Sequence, residues 1–331
     1  MTAIMVTGVG GGVGQSIIKS LQGKRYRIVG VDSEAYGTGL YAVHRAYQVP
    51  QASASGYLDR ILELGRAERC SLLFPGMDAE LPVLAEGAER LRDNHIIPMV
   101  SSHRVIDLAD NKLKTSQFLQ EKGFPAPLTV PLASDVGDRL GYPLVLKPWR
   151  GGRRSLGMHV IRDEDQLRHH LARLDQTTYI AQQYISGDEY TCGTVSFDGR
   201  CYGTIVMRRV LRDGDTYKAF VDPNPVIHEY VQAVAEAIRP FGACNFQLRL
   251  QNGVPFIFEI NARFSGTTFS RALAGFNEPQ MVADYILWGR TPEPQIREIA
   301  VFRYWKELVV PYSRIAEMEN RGCLDGDGTT L

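Results

Sequence analysis

The feature that most constrains the fold is an alternation, over the first 100 residues, of short apolar runs with apolar residues at helical spacing. Four runs have the length and composition of buried strands: residues 3–7, 27–31, 71–74 and 96–98. Helical spacing runs from Tyr57 to Leu64 and from Leu81 to Leu91. Strands that alternate with helices form parallel sheets covered on both faces. The N-terminal part is therefore predicted to be a doubly wound α/β domain.

Length and charge narrow the class of protein. The chain has 331 residues, enough for two or three domains. Its 37 basic and 37 acidic residues give a formal net charge of zero, so we expect no nucleic-acid partner. No run approaches the ~18 apolar residues of a membrane helix, and the first residues lack the basic segment of a secretory signal. We expect a cytoplasmic protein with no membrane partner, whose five scattered cysteines are reduced core thiols.

The second half of the chain has a different pattern. After Pro131 it contains short strands, several glycines and two long helices, at about 225–239 and 279–287. This half is predicted to be α+β. A helix from about Asn111 to Lys122, with Asp110 as its cap, is expected to join the halves. The polar residues 325–330 are expected to be frayed.

The glycine-rich turn after the first strand has two interpretations. Gly8 to Gly14 contains five glycines in seven positions, and such a turn at a helix N-terminus can cradle a phosphate. Asp32 ends the second strand, where an acidic residue can bind a ribose, so one interpretation is an NAD-linked oxidoreductase. The other is a closely packed strand-to-helix turn without a dinucleotide, because the third glycine of the fingerprint falls on Val13.

The strongest chemical signal is a set of three oxygen-bearing side chains, Gln247, Glu259 and Asn261. They lie in two segments of alternating polarity, and residues two apart in a strand share a face. One carboxylate and two amides suit Mg²⁺ shared with substrate phosphates, with Mn²⁺ as the alternative. A solvated polar face of an antiparallel sheet is the other interpretation.

The turn between those segments decides whether the three side chains meet. Asn252-Gly253 predicts a hairpin. In a regular two-residue turn, Gln247 would face away from Glu259, because directly paired residues share a face. We therefore predict a three-residue or bulged loop, with Gly253 at positive φ, that pairs Gln247 with Glu259.

A second signal suits a polyphosphate. Lys147 lies at the inner end of an apolar strand and precedes a loop, residues 149–157, that is rich in glycine and arginine. The ammonium group is a point charge, and loop N–H groups can wrap phosphate oxygens. In this interpretation Arg153 and Ser155 contact the phosphates. A surface turn with solvated arginines is the alternative.

A third signal is the segment 179–189, an apolar strand that enters Ser186-Gly187. Such a segment can serve as a hinge between two lobes, whose free backbone groups read an adenine edge while Glu189 takes the ribose hydroxyls. By itself the segment is a strand and a turn.

In this order the pieces resemble the ATP-grasp superfamily, and more narrowly the stand-alone ligases similar to one half of the carbamoyl phosphate synthase large subunit. The resemblance runs from about Thr2 to about Tyr312. It implies an ATP-grasp fold, with a lid subdomain and an antiparallel-sheet catalytic subdomain, after the N-terminal α/β domain. The implied boundaries are 1–105 for the N-terminal domain, 106–128 for a linker helix, 129–184 for the lid, 185–315 for the catalytic subdomain and 316–331 for a tail.

The resemblance also implies roles for individual residues. Lys112 and Lys147 match the two phosphate-binding lysines, and Arg263 matches the arginine that steadies the transferring phosphoryl group, so that Lys147 and Arg263 are implied to be catalytic. The family usually has glutamate where Gln183 stands. The adenine hinge is matched by Gln183, Tyr184 and Ile185, and the ribose-binding acid by Glu189. The metal ligands are matched by Gln247, Glu259 and Asn261.

The implied activity is ATP-dependent ligation of a small carboxylate to an amine, through an acyl phosphate, with release of ADP and phosphate. ATP and Mg²⁺ are the implied cofactors. The sequence does not decide between a monomer and a homodimer. Two competing interpretations are the NAD-linked oxidoreductase and a non-catalytic ATP-binding protein. The first leaves Glu259 and the Lys147 loop without a role, and the retention of the expected metal and phosphate side chains disfavours the second.

Overall fold

The apolar runs of the N-terminal part form parallel strands of one sheet. The computed structural model describes residues 1–151, 156–328 and 331. The central strand β1 (Thr2–Thr7) pairs with β2 (Tyr26–Asp32) on one side and with β4 (Cys70–Phe74) on the other. Two further parallel strands flank these, β3 (Arg45–Gln48) beside β2 and β5 (Ile97–Pro98) beside β4.

The two faces of this sheet pack into separate cores. Ile4 and Val6 of β1 belong to the core that includes α1 (Gly12–Leu21), whereas Ala3 and Met5 belong to the core that includes α2 (Tyr57–Ala67). Because helices cover both faces, the predicted doubly wound α/β sheet is confirmed. The remaining helices of this part are α3 (Leu81–Glu86), α4 (Ala88–Asp93) and α5 (His103–Asp110).

A single residue, Asn111, separates α5 from the next helix, α6 (Lys112–Glu121). Asn111 is its N-cap, since its side-chain oxygen accepts hydrogen bonds from the N–H groups of Leu113 and Lys114, at 3.0 and 3.1 Å. The prediction that Asp110 caps this helix is wrong, because Asp110 is the last residue of α5. A capping side chain must lie directly before the first helical turn to reach its free N–H groups.

Residues 129–183 contain a four-stranded antiparallel sheet. Its strands, in spatial order, are β6 (Thr129–Pro131), β9 (Tyr179–Gln183), β7 (Leu144–Pro148) and β8 (His159–Ile161). Helices α7 (Val136–Leu140) and α8 (Glu164–Leu171) accompany it. One face packs into a core of its own, to which Leu144 and Leu146 contribute. Val145 and Lys147, which alternate with them, line a cleft on the opposite face.

A larger antiparallel sheet forms the C-terminal part. Its spatial order is β14 (Val254–Asn261), β13 (Gly242–Gln251), β10 (Asp188–Phe197), β11 (Arg200–Arg212), β12 (Asp215–Val221) and β15 (Ala300–Phe302). Helix α9 (Pro225–Ile238) packs on one face, and α10 (Thr268–Leu273) and α11 (Glu278–Trp288) accompany the other. The predicted α+β class is confirmed. Among the described residues, no helix has the length and apolar character needed to cross a membrane.

The C-terminal segment returns to the edge of the N-terminal sheet. Helix α12 (Tyr312–Arg321) leads into β16 (Cys323–Asp325), which pairs antiparallel with β3. Met318 and Leu324 are buried and anchor this segment. Within residues 325–330, Asp325 belongs to β16 and the N–H of Gly326 donates to the carbonyl oxygen of His44 at 3.0 Å, so the expectation of fraying is wrong for these two residues. Residues 329 and 330 lie outside the described residues.

We predict that Leu324→Ala lowers the free energy of unfolding by about 2–5 kcal/mol, because the side chain is 1% exposed and its loss leaves a cavity. Leu273→Ala is the matched control, since Leu273 is 42% exposed and its truncation should cost less than about 0.5 kcal/mol. Urea unfolding of both variants measures the difference. Equal effects would contradict the docking of β16 against the N-terminal sheet.

Candidate active site

The three predicted metal ligands lie together on one face of the C-terminal sheet. Gln247 on β13 pairs directly with Glu259 on β14, and Asn245 pairs with Asn261. The Oε1 atom of Glu259 accepts hydrogen bonds from Gln247 Nε2 at 3.2 Å and from Asn261 Nδ2 at 3.1 Å. The structure therefore brings one carboxylate and two amides into direct contact.

The hairpin that joins β13 and β14 differs from the prediction. Gln251 pairs with Val254 across a regular two-residue turn, in which Asn252 and Gly253 have φ of 52° and 80°. The positive φ of Gly253 and the pairing of Gln247 with Glu259 agree with the prediction, but the three-residue or bulged loop is wrong. Asn252 accepts the left-handed conformation, so the tight turn forms without an extra residue.

The extra residue lies within β14 instead. Leu248 pairs with Ile257 and Gln247 with Glu259, so Phe258 is a β-bulge. Phe258 and Glu259 both line the cleft, while Ile257 and Ile260 on either side enter the core beneath α9. The bulge thus turns Glu259 to the cleft face, which a regular ladder after this turn would not do.

Two buried lysines line this cleft. Lys147, at the end of β7, is 7% exposed, and its Nζ donates to the carbonyl oxygen of the bulged Phe258 at 3.2 Å. Lys112, at the start of α6, donates from Nζ to the carbonyl oxygen of Gly151 at 2.8 Å. Burial, followed by the charge of Lys112, lowers the pKa of Lys147 to about 7, against the opposing effect of Glu259 and Glu189.

The cleft lies between the small sheet and the C-terminal sheet. Gln183, Tyr184 and Ile185, the predicted adenine hinge, line it together with Glu189. The side chain of Gln183 is engaged with the chain itself, since its Oε1 accepts from the N–H of Leu128 at 3.2 Å. One cavity of about 220 Å³ is therefore bordered by the residues predicted for adenine and ribose, by Lys112 and Lys147, and by two of the predicted metal ligands, Gln247 and Glu259. Asn261 does not line this cavity but contacts Glu259, which does.

Two arginines, Arg209 and Arg249, also border this cavity. Arg209 on β11 donates to Glu189 Oε1 at 2.7 Å and to Gln247 Oε1 at 2.7 Å. Arg249 on β13 donates to Glu189 Oε2 at 2.9 Å. Strand alternation after Gln247 could have placed Arg249 on this face. No local signal could have placed Arg209, because it lies on β11, which is two positions from β13 in the sheet.

Arg263 follows β14 and is 11% exposed. Its Nε and Nη2 atoms donate to the two carboxylate oxygens of Asp78 at 2.6 and 2.7 Å, and Nη2 also donates to Asn261 Oδ1 at 3.0 Å. Burial alone would lower the pKa of Arg263, but the charges of Asp78 and Glu259 outweigh burial and raise the pKa. Asp78 was given no role in the sequence analysis, although it follows a parallel strand at the edge where α/β sheets bind ligands.

The remaining predicted phosphate contacts, Arg153 and Ser155, lie outside the described residues. Arg150, just before them, forms ion pairs with Asp107 and, at 3.2 Å, with Asp110.

Comparison with family models identifies two domains in the chain. Residues 175–307 match the family model described as ATP-grasp in the biosynthetic pathway with Ter operon. Residues 3–100 match the model described as PylC-like, N-terminal domain. The matches therefore support an ATP-grasp domain that follows a PylC-like N-terminal domain.

Curated relatives match part of the chain. The carbamoyl phosphate synthase large chain of Caldanaerobacter subterraneus subsp. tengcongensis is 26% identical over 198 residues, which is 54% of this chain and 18% of that protein. The D-alanine–D-alanine ligase of Ralstonia nicotianae is 30% identical over 181 residues, 46% of this chain and 54% of that protein. The chain therefore matches about half or less of the length of each of these relatives.

Solved structures share the fold over most of the chain. The L-amino acid ligase from Bacillus licheniformis has a TM-score of 0.71 and 20% identity, covering 91% of this chain and 78% of that one. The N5-carboxyaminoimidazole synthetase from Staphylococcus aureus complexed with ADP has a TM-score of 0.70 and 17% identity, covering 90% and 80%. These likenesses confirm the predicted fold class.

We predict a pH dependence of stability that originates from Lys147. Its pKa of about 7 lies below that of a lysine in the unfolded chain, so the unfolded state binds more protons between about pH 7 and pH 10. Lys147 therefore makes the folded state more stable as pH rises through this window, by up to about 1.4 kcal/mol per pH unit. Lys147→Met should remove this slope.

Denaturant unfolding of the wild type and of Lys147→Met across that window measures the difference in slope. The same substitution at the exposed Lys24 controls for the loss of a lysine as such. Parallel stability curves for the wild type and Lys147→Met would contradict the lowered pKa.

Proposed function

We propose that this protein is an ATP-dependent carboxylate–amine ligase. A carboxylate oxygen of a small acid attacks the γ-phosphorus of ATP, and ADP leaves. The nitrogen of an amine then attacks the carbonyl carbon of the acyl phosphate and loses a proton as phosphate leaves. The observation that supports the proposal is the contact of Gln247 and Asn261 with Glu259 on one face of the sheet. Gln247 and Glu259 line the same cavity as Lys147.

The donor set fits a magnesium ion. Glu259 supplies a carboxylate, and Gln247 and Asn261 each supply an amide oxygen, which are the hard ligands that Mg²⁺ takes alongside substrate phosphates. When bound there, the ion neutralises charge on the transferring phosphoryl group. We propose these three residues as its ligands.

The cleft residues have complementary proposed roles in binding ATP. Tyr184 and Ile185 contact the adenine, and Glu189 binds the ribose. Lys112 and Lys147 bind the phosphates, and the nearby Arg209 adds a cation on the same face. A lysine with a pKa near 7 becomes fully protonated beside a polyphosphate, so ATP binding above that pH should take up a proton. Arg263 steadies the transferring phosphoryl group.

The oxidoreductase interpretation has less support. Both oxygens of Asp32 already accept hydrogen bonds from nearby backbone, Oδ2 from the N–H of Gly10 at 2.7 Å and Oδ1 from the N–H of Glu34 at 3.0 Å. The aspartate that would bind a ribose instead stabilises its own turn.

We predict that the chain binds ATP with Mg²⁺ and releases ADP only when a suitable carboxylate is supplied, with an amine completing the reaction. A screen of ADP release against pairs of amino acids, other small acids and amines measures this. NADH fluorescence titration is the comparison. NADH binding that Asp32→Ala abolishes, without ADP release from any pair, would reverse the assignment.

We also predict that Glu259→Gln and Asn261→Ala each lower ADP release by about a hundredfold or more, because they remove charge stabilisation at the reacting phosphate. Thermal unfolding should change little, since both side chains are partly exposed and neither belongs to the hydrophobic core beneath α9. Glu121→Gln, at an exposed position, is the control for loss of a carboxylate. Rates within about tenfold of the wild type at saturating Mg²⁺ would contradict the proposed metal ligands.

A further inference from the structure

A side chain of the N-terminal part of the chain binds an arginine that follows the last residue of β14 in the C-terminal sheet. Asp78 binds Arg263 through both carboxylate oxygens, and 185 positions separate the two residues in sequence. Asp78 is 34% exposed, whereas Arg263 is nearly buried. A bidentate pair of this kind fixes the plane of a guanidinium group as well as its position.

One of the other hydrogen bonds of Arg263 reaches a proposed metal ligand, Asn261. Nη1 donates to the carbonyl oxygen of Phe264 at 2.7 Å, and Nη2 is shared between Asp78 and Asn261. Asn261 in turn contacts Glu259. The orientation of Arg263 is therefore set from one side by Asp78 and from the other by a proposed magnesium ligand.

The turn that carries Asp78 is held by a buried carboxylate. Glu80 is 0% exposed, and its Oε1 accepts from Thr7 Oγ1 at 2.7 Å and from the N–H groups of Gly76 and Met77 at 2.9 and 2.7 Å. The hydroxyl of Tyr57 donates to Oε2. Four donors on one buried carboxylate fix the backbone just before Asp78.

The glycine-rich turn makes room for this arrangement. Gly8 has φ of 57°, and a Cβ atom there would lie 2.6 Å from Cγ of Met77. A Cβ on Gly76 would lie 2.1 Å from the carbonyl oxygen of Thr7. Glycine at both positions lets the 76–78 turn approach the end of β1. This packing accounts for Gly8 without a bound dinucleotide.

We propose that Asp78 is a positioning residue for Arg263, and that the N-terminal part completes the active site through the Glu80-anchored turn. The inference rests on the proposed function, in which Arg263 acts on the transferring phosphoryl group. Asp78 orients the guanidinium so that it meets the phosphoryl oxygens without rearrangement, and preorganised charge of this kind acts most strongly in the transition state. Loss of Asp78 should therefore weaken binding of a transferring phosphoryl group more than binding of the nucleotide.

The experiment compares the affinity of the full-length chain for MgADP with its affinity for MgADP plus aluminium fluoride, a mimic of the transferring phosphoryl group. Isothermal titration calorimetry measures both, and neither needs an identified carboxylate. Asp78→Asn keeps the side-chain shape but removes the charge and one acceptor oxygen. It should leave MgADP affinity unchanged and lower the fluoroaluminate complex affinity by about tenfold or more, as should Arg263→Ala.

Two further variants separate positioning from folding. Asp59→Asn is the matched control, since Asp59 lies in the same part of the chain in an exposed pair with Arg90, and it should change neither affinity. Glu80→Gln should lower the affinity for the fluoroaluminate complex selectively, but by less than Asp78→Asn does. The melting temperature of this variant is measured as well, to detect any loss of folding.

The outcomes distinguish the inference from its premise. If Arg263→Ala loses the fluoroaluminate complex and Asp78→Asn retains it within twofold, the positioning role is wrong and the proposed function stands. If the wild type does not bind MgADP, or gains nothing from fluoroaluminate, the proposed function itself is contradicted. If Asp78→Asn loses MgADP and fluoroaluminate affinity equally, Asp78 supports the fold and is not a positioning residue.

Discussion

The register between β13 and β14 is the constraint on which the cleft depends. Side chains alternate along a strand, so a single extra residue decides which of them face the cleft and which face the core. The bulge at Phe258 supplies that residue and places Glu259 beside Gln247. The same bulge presents the carbonyl oxygen of Phe258 to Lys147, and this hydrogen bond joins the small sheet to the C-terminal sheet.

Charge in the cleft is balanced by alternation of cations and anions. Arg249, Glu189 and Arg209 form one run, which continues through Gln247 to Glu259. Isolated buried charges are costly, but each of these has a partner of opposite sign or a polar neighbour. A cleft built in this way keeps its cations in place before a polyphosphate arrives, so binding does not have to assemble them.

A second buried pair supports the same sheet from below the site. Arg271 and Glu278 are fully buried and paired at 2.7 Å, and Arg271 also donates to Thr191 on β10 at 2.9 Å. Thr191 lies directly opposite Gln247 in the sheet. Polar contacts therefore extend from Gln247 through Thr191 to the buried pair of Arg271 and Glu278. Removal of one partner of that pair would leave an uncompensated charge in the interior.

Local periodicity determined much of this protein. It predicted strands β1, β2, β4 and β5, the long helices of the C-terminal part, and the shared face of Glu259 and Asn261, because hydrophobic spacing and strand alternation act over a few positions. It could not predict β3 or β16, which are strands of only four and three residues and are too short for an alternation of polarity to show. Tertiary structure alone decided three features: the position of the bulge, the orientation of Arg209 toward the cleft, and the ion pair between Asp78 and Arg263. Each depends on residues that are remote in sequence, and contacts of that kind leave no pattern in any single segment of the chain.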